Sequence, residues 1–323
     1  MGRFAVSVVV PCRNAASTVG AQLEALTRQR WSGDWEVVLV DDGSTDDTLQ
    51  VVEAFRGRLP LVFVPCASSR PSPAAARNRG VRDARGEFIL FCDADDVVDD
   101  GWAEAMQTAL RDHDFVCCYE TEQGLNDPSA IATYGRFHKG LAYWQGDRPF
   151  LPFAGSGALG VRRSLHDAIG GFDEWFERGG EDEDYCWRIQ KQTGTDLHFV
   201  RDAVIHYRYR TQLRAIFRQA RNGGASRVYL WVKWRDDLPA AGNQWAAGFW
   251  AWVRVLSQVR FVHDRGSLGH WIRWIATLLG HAEASAHLHV RLPCSYPQLA
   301  HPPSLRRRLR RLGRRSPPHS AQA

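Results

Sequence analysis

The stretch FILFCDADD, residues 88–96, runs from five apolar positions straight into three aspartates, and Asp99 and Asp100 follow. FILFC reads as a buried strand. Carboxylates set that close repel one another and tend to hold their protons unless solvent, nearby bases or a cation offset the charge. For an isolated acidic cluster, a loop facing water is the commoner outcome. The neighbouring sequence changes that expectation.

Upstream lie three more short apolar runs, VSVVVP (6–11), WEVVLV (35–40) and LVFV (61–64). Helical patterns separate them at 17–30, from Ser44 through Phe55, and at 74–85. Ser44 followed by Asp47 resembles a capping box, with Leu49, Val52 and Phe55 as the apolar face of the helix it opens. This β-α-β-α order predicts an α/β fold with a Rossmann-like, doubly wound, mostly parallel sheet. Ligands bind outside the carboxyl ends of such strands. Polar residues fall there repeatedly: Asn14 after the first, Asp41 and Asp42 after the second, Asp93 to Asp96 after the fourth.

A D-x-D triplet alone is weak, since 24 aspartates in 323 residues give about two by chance. Three occur, at Asp93/Asp95, Asp112/Asp114 and Asp182/Asp184, and only the first directly follows a predicted sheet strand. Mg²⁺ and Mn²⁺ prefer oxygen ligands and are commonly held by one or two carboxylates plus substrate phosphates. No Gly-rich P-loop or G-x-G-x-x-G follows a strand, so a metal is the natural substitute for backbone amides in holding phosphate.

Farther on, residues 158–189 predict a helix, a Gly-Gly turn and a second acidic run opening another helix. Glu181, Asp182, Glu183 and Asp184 sit where a helix dipole favours negative charge by about 0.3–1 kcal/mol each, which explains them as well as chemistry does. LHFVRDAVIHYRY (197–209) predicts a strand with His206 near its end; structural and ligand roles for that histidine stand level.

Six stretches in order, VSVVVPCRN, WEVVLVDDGSTDDT, AAARNRG, ILFCDADD, GGFDE and GGEDEDYCWRI, resemble the signature set of glycosyltransferase family 2 on a GT-A fold, over residues 4–210. The resemblance implies a nucleotide-sugar site that includes Pro11, Arg13, Asn14 and Ala94. It implies contact of Asp41 and Asp42 with the nucleotide base and ribose, uracil being the usual base, and of Arg77 with the base or diphosphate. Asp93 matches the ribose-side carboxylate, and Asp95 the one that binds Mn²⁺ or Mg²⁺ beside the β-phosphate. Asp182 resembles the general base, Glu181 a neighbour of the acceptor, and His206 an additional metal or diphosphate ligand. The register between Asp182 and Asp184 stays open. Asp96 is expected to orient the pair before it, and Asp99 and Asp100 to begin the next helix. One base opposite the leaving group implies single displacement with inversion, needing no carboxylate nucleophile.

Two other functions are weighed. A nucleotidyltransferase would carry a Gly-rich loop after the first strand, and PCRNAAST lacks the glycines. A non-catalytic nucleotide-sugar-binding scaffold would be betrayed by loss of Asp95 or Asp182, and both are present.

Charge divides the chain: residues 1–206 carry 21 basic and 32 acidic side chains (−11), residues 207–323 carry 20 and 4 (+16). The expected organisation is a catalytic domain at 1–210, with a nucleotide-sugar half at 1–100 and an acceptor and base half at 101–210. A helical, Trp-rich extension at 211–300 and a basic, partly disordered tail at 301–323 would follow. Residues 211–323 suit an anionic membrane surface, or packing on the body or a second subunit. No specific nucleic-acid module is recognisable. The acceptor class is a carbohydrate, a lipid-linked molecule or another small molecule. Residues 135–157 are expected to shape its site, with Trp144, Phe150 and Phe153 either stacking on sugar or joining the core. The seven cysteines form no C-x-x-C pair, so reduced thiols and a cytoplasmic location, peripheral on the inner membrane face, are expected. The first apolar run reads as a strand, not a signal peptide, and no uncharged apolar run reaches 18 residues. Sugar, acceptor and oligomeric state are not legible.

Overall fold

A computed structural model describes residues 5–30, 33–66, 71–135, 138–139, 141–143, 150–177, 179–238 and 244–288. The first half alternates as expected: β1 (Val6–Cys12), α1 (Val19–Thr27), β2 (Trp35–Asp41), α2 (Thr48–Glu53), β3 (Leu61–Pro65), α3 (Pro73–Asp83) and β4 (Phe88–Phe91). Then come β5 (Val97–Val98), α4 (Trp102–Asp112), β6 (Phe115–Thr121), α5 (Pro128–Tyr134), β7 (His138–Lys139), β8 (Ala142–Tyr143) and β9 (Pro152–Phe153). A 3₁₀ turn at Ser156–Ala158 leads into β10 (Leu159–Arg162), α6 (Arg163–Ala168), α7 (Glu181–Thr193) and β11 (His198–His206). Three longer helices follow: α8 (Leu213–Trp234), α9 (Gln244–Ser257) and α10 (Arg265–His287).

One sheet runs β3-β2-β1-β4-β10-β6-β11-β5, with β7 beside β6, and β8 and β9 form a separate ribbon. The first four neighbours are parallel, with Cys12 opposite Asp41 and Asp41 opposite Pro65, so their carboxyl ends share one edge. β10 inserts antiparallel between β4 and β6, and β5 runs antiparallel to β11. The sheet is therefore mixed, though still mostly parallel. Alternate residues of β1 face opposite layers: Val6, Val8 and Val10 pack with α1, α2 and α4, while Val9 packs with α3 and α7. Burial on both faces is why these strands read as unbroken apolar runs.

α3 owes its place to small side chains. Ser72 caps it, accepting the Ala75 N–H at 3.2 Å, with Pro73 in the first turn. A Cβ on Gly80 would lie 2.4 Å from Val9, so only glycine lets the helix settle this close to the sheet. Local expectations fail in three places. The Ser44 hydroxyl accepts the Asn14 N–H across the loops instead of capping α2, and Asp46 takes the Thr48 N–H. Leu49 points outward, 48 % exposed, while Val52 and Phe55 are buried. α4 begins at Trp102 after Gly101, so Asp99 and Asp100 lie in the turn before it.

The C-terminal helices pack on the body. Leu230 and Trp234 of α8 join Phe176 and Trp187 in one buried cluster. α8 and α10 meet at reciprocal glycines: a Cβ on Gly224 would lie 2.1 Å from the Thr277 carbonyl, and one on Gly280 1.8 Å from the Arg221 carbonyl. Gly280→Ala should lower stability by about 1–3 kcal/mol through overpacking, although Ala is the better helix former by about 1 kcal/mol. An unchanged denaturation midpoint would mean the two helices do not touch this way in solution.

Candidate active site

A cavity of about 360 Å³ opens at the carboxyl edge of β1, β2 and β4. Its lining includes Pro11, Arg13 and Asn14 after β1, Asp42 after β2, Arg77 of α3, and Asp93, Ala94 and Asp95 after β4. Asn14 holds a left-handed backbone, φ 50°, which its short polar side chain tolerates. Its Oδ1 accepts the Thr45 N–H at 2.8 Å, tying the first loop to the second. Asp41 is not part of the lining, and its Oδ2 accepts the Ser44 N–H at 3.2 Å. The Oδ1 atoms of Asp41 and Asp42 are buried with no hydrogen-bond partner. Such orphaned acceptors cost about 1–3 kcal/mol each unless a ligand donates to them. Burial pushes the Asp42 carboxyl above its ordinary pKa, against the pull of Arg13.

Every aspartate of the acidic loop has its own donor. Arg77 Nη2 pairs with Asp93 at 2.6 Å, Arg210 with Asp95 at 2.7 Å, and the Arg208 N–H donates to Asp96 at 2.8 Å. His206 Nε2 lies 3.1 Å from Asp99, and Arg28 Nε 3.1 Å from Asp100. Beneath the loop, the buried Gln22 accepts the Val98 N–H at 3.0 Å and donates to the Asp93 carbonyl at 3.3 Å. Burial still pushes Asp95 upward, and burial with the Asp95 and Asp93 charges pushes Asp96 well above the carboxylate range. Carboxylate oxygens of Asp93, Asp95 and Asp96 lie within 4.8 Å of one another, a hard-oxygen donor set that fits a divalent Mg²⁺ or Mn²⁺. His206 stands apart from this trio, with Nδ1 2.8 Å from the Gln123 carbonyl and Nε2 at Asp99.

A second cavity, about 570 Å³, shares Pro73, Arg77 and Asp93 with the first. Its floor is the N-terminus of α7, which Gly180 opens in a left-handed conformation, φ 92°. Glu181, Asp182 and Glu183 line it. Asp184 does not: it is fully buried, bound by Arg188 at 2.8 Å, Lys233 at 2.7 Å and Trp234 Nε1 at 2.9 Å. Of the two candidate registers, the structure thus turns Asp182 toward the cavity. Glu181 Oε1 meets Arg77 Nη1 at 3.3 Å, while its Oε2 is buried without a partner. Burial and the Asp182 charge, opposed by Arg77, push Glu181 up to about 7. The same two causes raise Glu183 well above its ordinary value.

The far wall comes from Glu120, Tyr134, Tyr207 and Tyr209, and from α8 and α10 through Gln219, Arg227, Arg273 and Trp274. Sequence reasoning missed this wall, Gln22, Arg208 and Arg210. The Tyr-Arg-Tyr-Arg alternation at 207–210 was the available signal, because extended chain puts alternate side chains on one side. Phe150 and Phe153 lie edge-on to Trp187, 5.0 and 6.1 Å away, and pack half-buried against the core cluster that holds it. Trp144 and residues 301–323 lie outside the described residues.

Residues 7–170, half of the chain, match the sequence model of Glycosyl transferase family 2. The chain belongs to that family. The pre-mycofactocin glycosyltransferase of Mycobacterium tuberculosis is 32 % identical over 234 residues, 68 % of this chain and 46 % of the relative. The poly(ribitol-phosphate) β-N-acetylglucosaminyltransferase TarS of Staphylococcus aureus is 40 % identical over 93 residues, 28 % of this chain and 16 % of TarS. The chain thus spans less than half the length of either relative. In fold it is similar to a Pyrobaculum calidifontis mannosyltransferase solved with GDP-Man and Mn²⁺, with a TM-score of 0.56, 20 % identity, 87 % of this chain and 88 % of that one. The S. aureus TarS structure gives a TM-score of 0.50 at 18 % identity, over 87 % of this chain and 55 % of that one. The fold is the family's GT-A arrangement, with a helical C-terminal region.

Glu181 makes the metal-free protein pH-sensitive. Its proton leaves near pH 7 when folded and near 4.5 when unfolded. Between those values the folded chain binds more protons, so this contribution is complete below about 4.5 and is lost as pH rises through 7. In EDTA, the melting temperature of Glu181→Gln relative to wild type should therefore rise from pH 5 to pH 8. A pH-independent difference would show that Glu181 titrates normally.

Proposed function

We propose that the chain moves a hexosyl group from a nucleotide-sugar, a UDP-sugar, to an acceptor hydroxyl by single displacement with inversion. The observation that carries this is the meeting of two cavities at Arg77 and Asp93, Asp42 lining the first and Asp182 the second. The first cavity takes the donor: the orphaned Asp42 oxygen in its lining suits an N–H or O–H group of a uracil nucleoside. Arg77 and Arg210 reach the diphosphate and its developing charge. Asp95, with Asp93 and Asp96, would hold Mn²⁺ or Mg²⁺, which when bound neutralises charge on the departing diphosphate. Asp182 takes the proton from the acceptor hydroxyl, and Glu181 positions that hydroxyl. Burial and the Asp182 charge raise the Glu183 carboxyl beside the base.

Residues 1–100 then serve the donor, and 101–210 with the helices serve the acceptor, a carbohydrate, lipid-linked or other small molecule. Support for a nucleotide-sugar comes from the solved relatives, one holding GDP-Man with Mn²⁺ and another UDP-GlcNAc.

The test is nucleoside diphosphate release from a panel of nucleotide-sugars with Mn²⁺, Mg²⁺ or EDTA. Release from one donor should need the ion and vanish in Asp95→Ala. Asp182→Asn should still be stabilised thermally by UDP with Mn²⁺, while turnover falls about 10²–10⁴-fold. Absence of both binding and release for every donor would sink the reading.

A further inference from the structure

Among the described residues, six of the eight exposed large hydrophobic side chains fall on α9 and the 3₁₀ turn (Gln258–Phe261) that follows it. Phe249, Val253 and Leu256 recur at i, i+4 and i+7, with Trp250 beside them, at 63, 39, 53 and 63 % exposure. Val259 and Phe261 extend the ridge. The opposite side of α9 is occupied: Ala251, Trp252 and Val255 pack on Trp271, Trp274, Ile275 and Leu278 of α10, and Trp271 Nε1 donates to the Val255 carbonyl at 2.9 Å. The ridge therefore faces away from the body. A contiguous exposed apolar face of this kind marks an interaction surface.

We propose that this ridge docks on an anionic lipid bilayer. Residues 244–265 carry Arg254, Arg260 and Arg265 against one acid, Asp264. The Arg260 guanidinium lies 4.9 Å from the Phe261 ring, setting charge directly at the apolar edge. Exposed Trp and Phe bordered by arginine is the composition of a helix lying in the lipid headgroup layer. No helix of the described residues is long and apolar enough to cross a membrane, so the contact is superficial. Charge disfavours the other occupants. A second copy meeting this face about a two-fold axis would bring like arginines together. The chain beyond Leu288 has eight arginines and no acid, so it would be repelled from the ridge as well. Trp274 packs under α9 and also lines the second cavity, so docking holds that cavity one helix from the lipid. The surface goes beyond the proposed transfer reaction and does not depend on it.

Co-sedimentation of the full chain tests this, with phosphatidylcholine vesicles containing about one-third phosphatidylglycerol or none. Wild type should bind the anionic vesicles, and Phe249→Ser/Trp250→Ser/Leu256→Ser should bind them about tenfold or more weakly. The triple variant should melt as wild type does and release nucleoside diphosphate equally well. In wild-type protein, brominated lipid should quench tryptophan emission, and Trp250→Phe, which keeps the ridge, should remove part of that quenching. No vesicle binding by wild type overturns the proposal, as does equal binding by the triple variant, which would assign attachment to the basic tail. A wild-type dimer in sedimentation velocity that the triple variant abolishes, with no vesicle binding, assigns the ridge to a second copy instead.

Discussion

One buried guanidinium joins the halves of the site. Arg77 is 3 % exposed, and its two terminal nitrogens bind Asp93 on the loop after β4 and Glu181 at the start of α7. An unpaired charge at this depth would cost several kcal/mol, and removing one partner of a buried pair typically costs about 3–5 kcal/mol. The three groups therefore hold one another in place. A lysine would offer a point charge where two divergent acceptors need a fork. Arg77 reaches both because α3 is alanine and glycine on its sheet side, which brings the helix backbone against β1. The wall between the two cavities is thus fixed by the small residues of α3 on either side of Arg77.

The acidic loop needs no cation merely to exist. Each of its five aspartates finds a donor, and two of those donors belong to Arg208 and Arg210, just past β11. This changes the meaning of the charge division along the sequence. Part of the positive charge beyond residue 206 neutralises the negative body: Arg210 binds Asp95, and Lys233 binds Asp173 and the buried Asp184.

The fold was legible because buried parallel strands leave unbroken apolar runs, and loops at their carboxyl ends leave acids at regular intervals. Asp42, Asp93 and Asp95 could be singled out for that reason, whereas Asp182 stood out only through the family resemblance. What sets their geometry was not legible. Gln22 supports the acidic loop from 71 positions away, and the Arg208 side chain reaches the Asp95 carbonyl across 113. Neither leaves a periodic trace in the sequence near the residue it serves. The pair Asp182 and Asp184 shows the same limit: identical residues two apart on one helix turn part ways only because Arg188, Lys233 and Trp234 enclose the second. His206 looked equally suited to a ligand or a structural role, and its neighbours Asp99 and Gln123 take both ring nitrogens.

The family model ends at residue 170, although the likeness to the pre-mycofactocin glycosyltransferase covers 68 % of the chain and so runs past it. Within the family model lie the donor-side residues from Pro11 through Asp95, with Arg210 the exception. Beyond it lie Asp182, Glu183, Tyr207, Tyr209 and the faces of α8 and α10 that close the second cavity. On the transfer reading, the matched segment supplies the residues that would hold the donor. The wall against which an acceptor would rest is built from segments whose packing depends on this chain's own glycines and tryptophans. Gly224 and Gly280 set how close α8 comes to α10, and so how wide the cavity stands. On the transfer reading, acceptor choice follows from helix packing on the second cavity, which is why donor class can be argued from loop acids and acceptor class cannot.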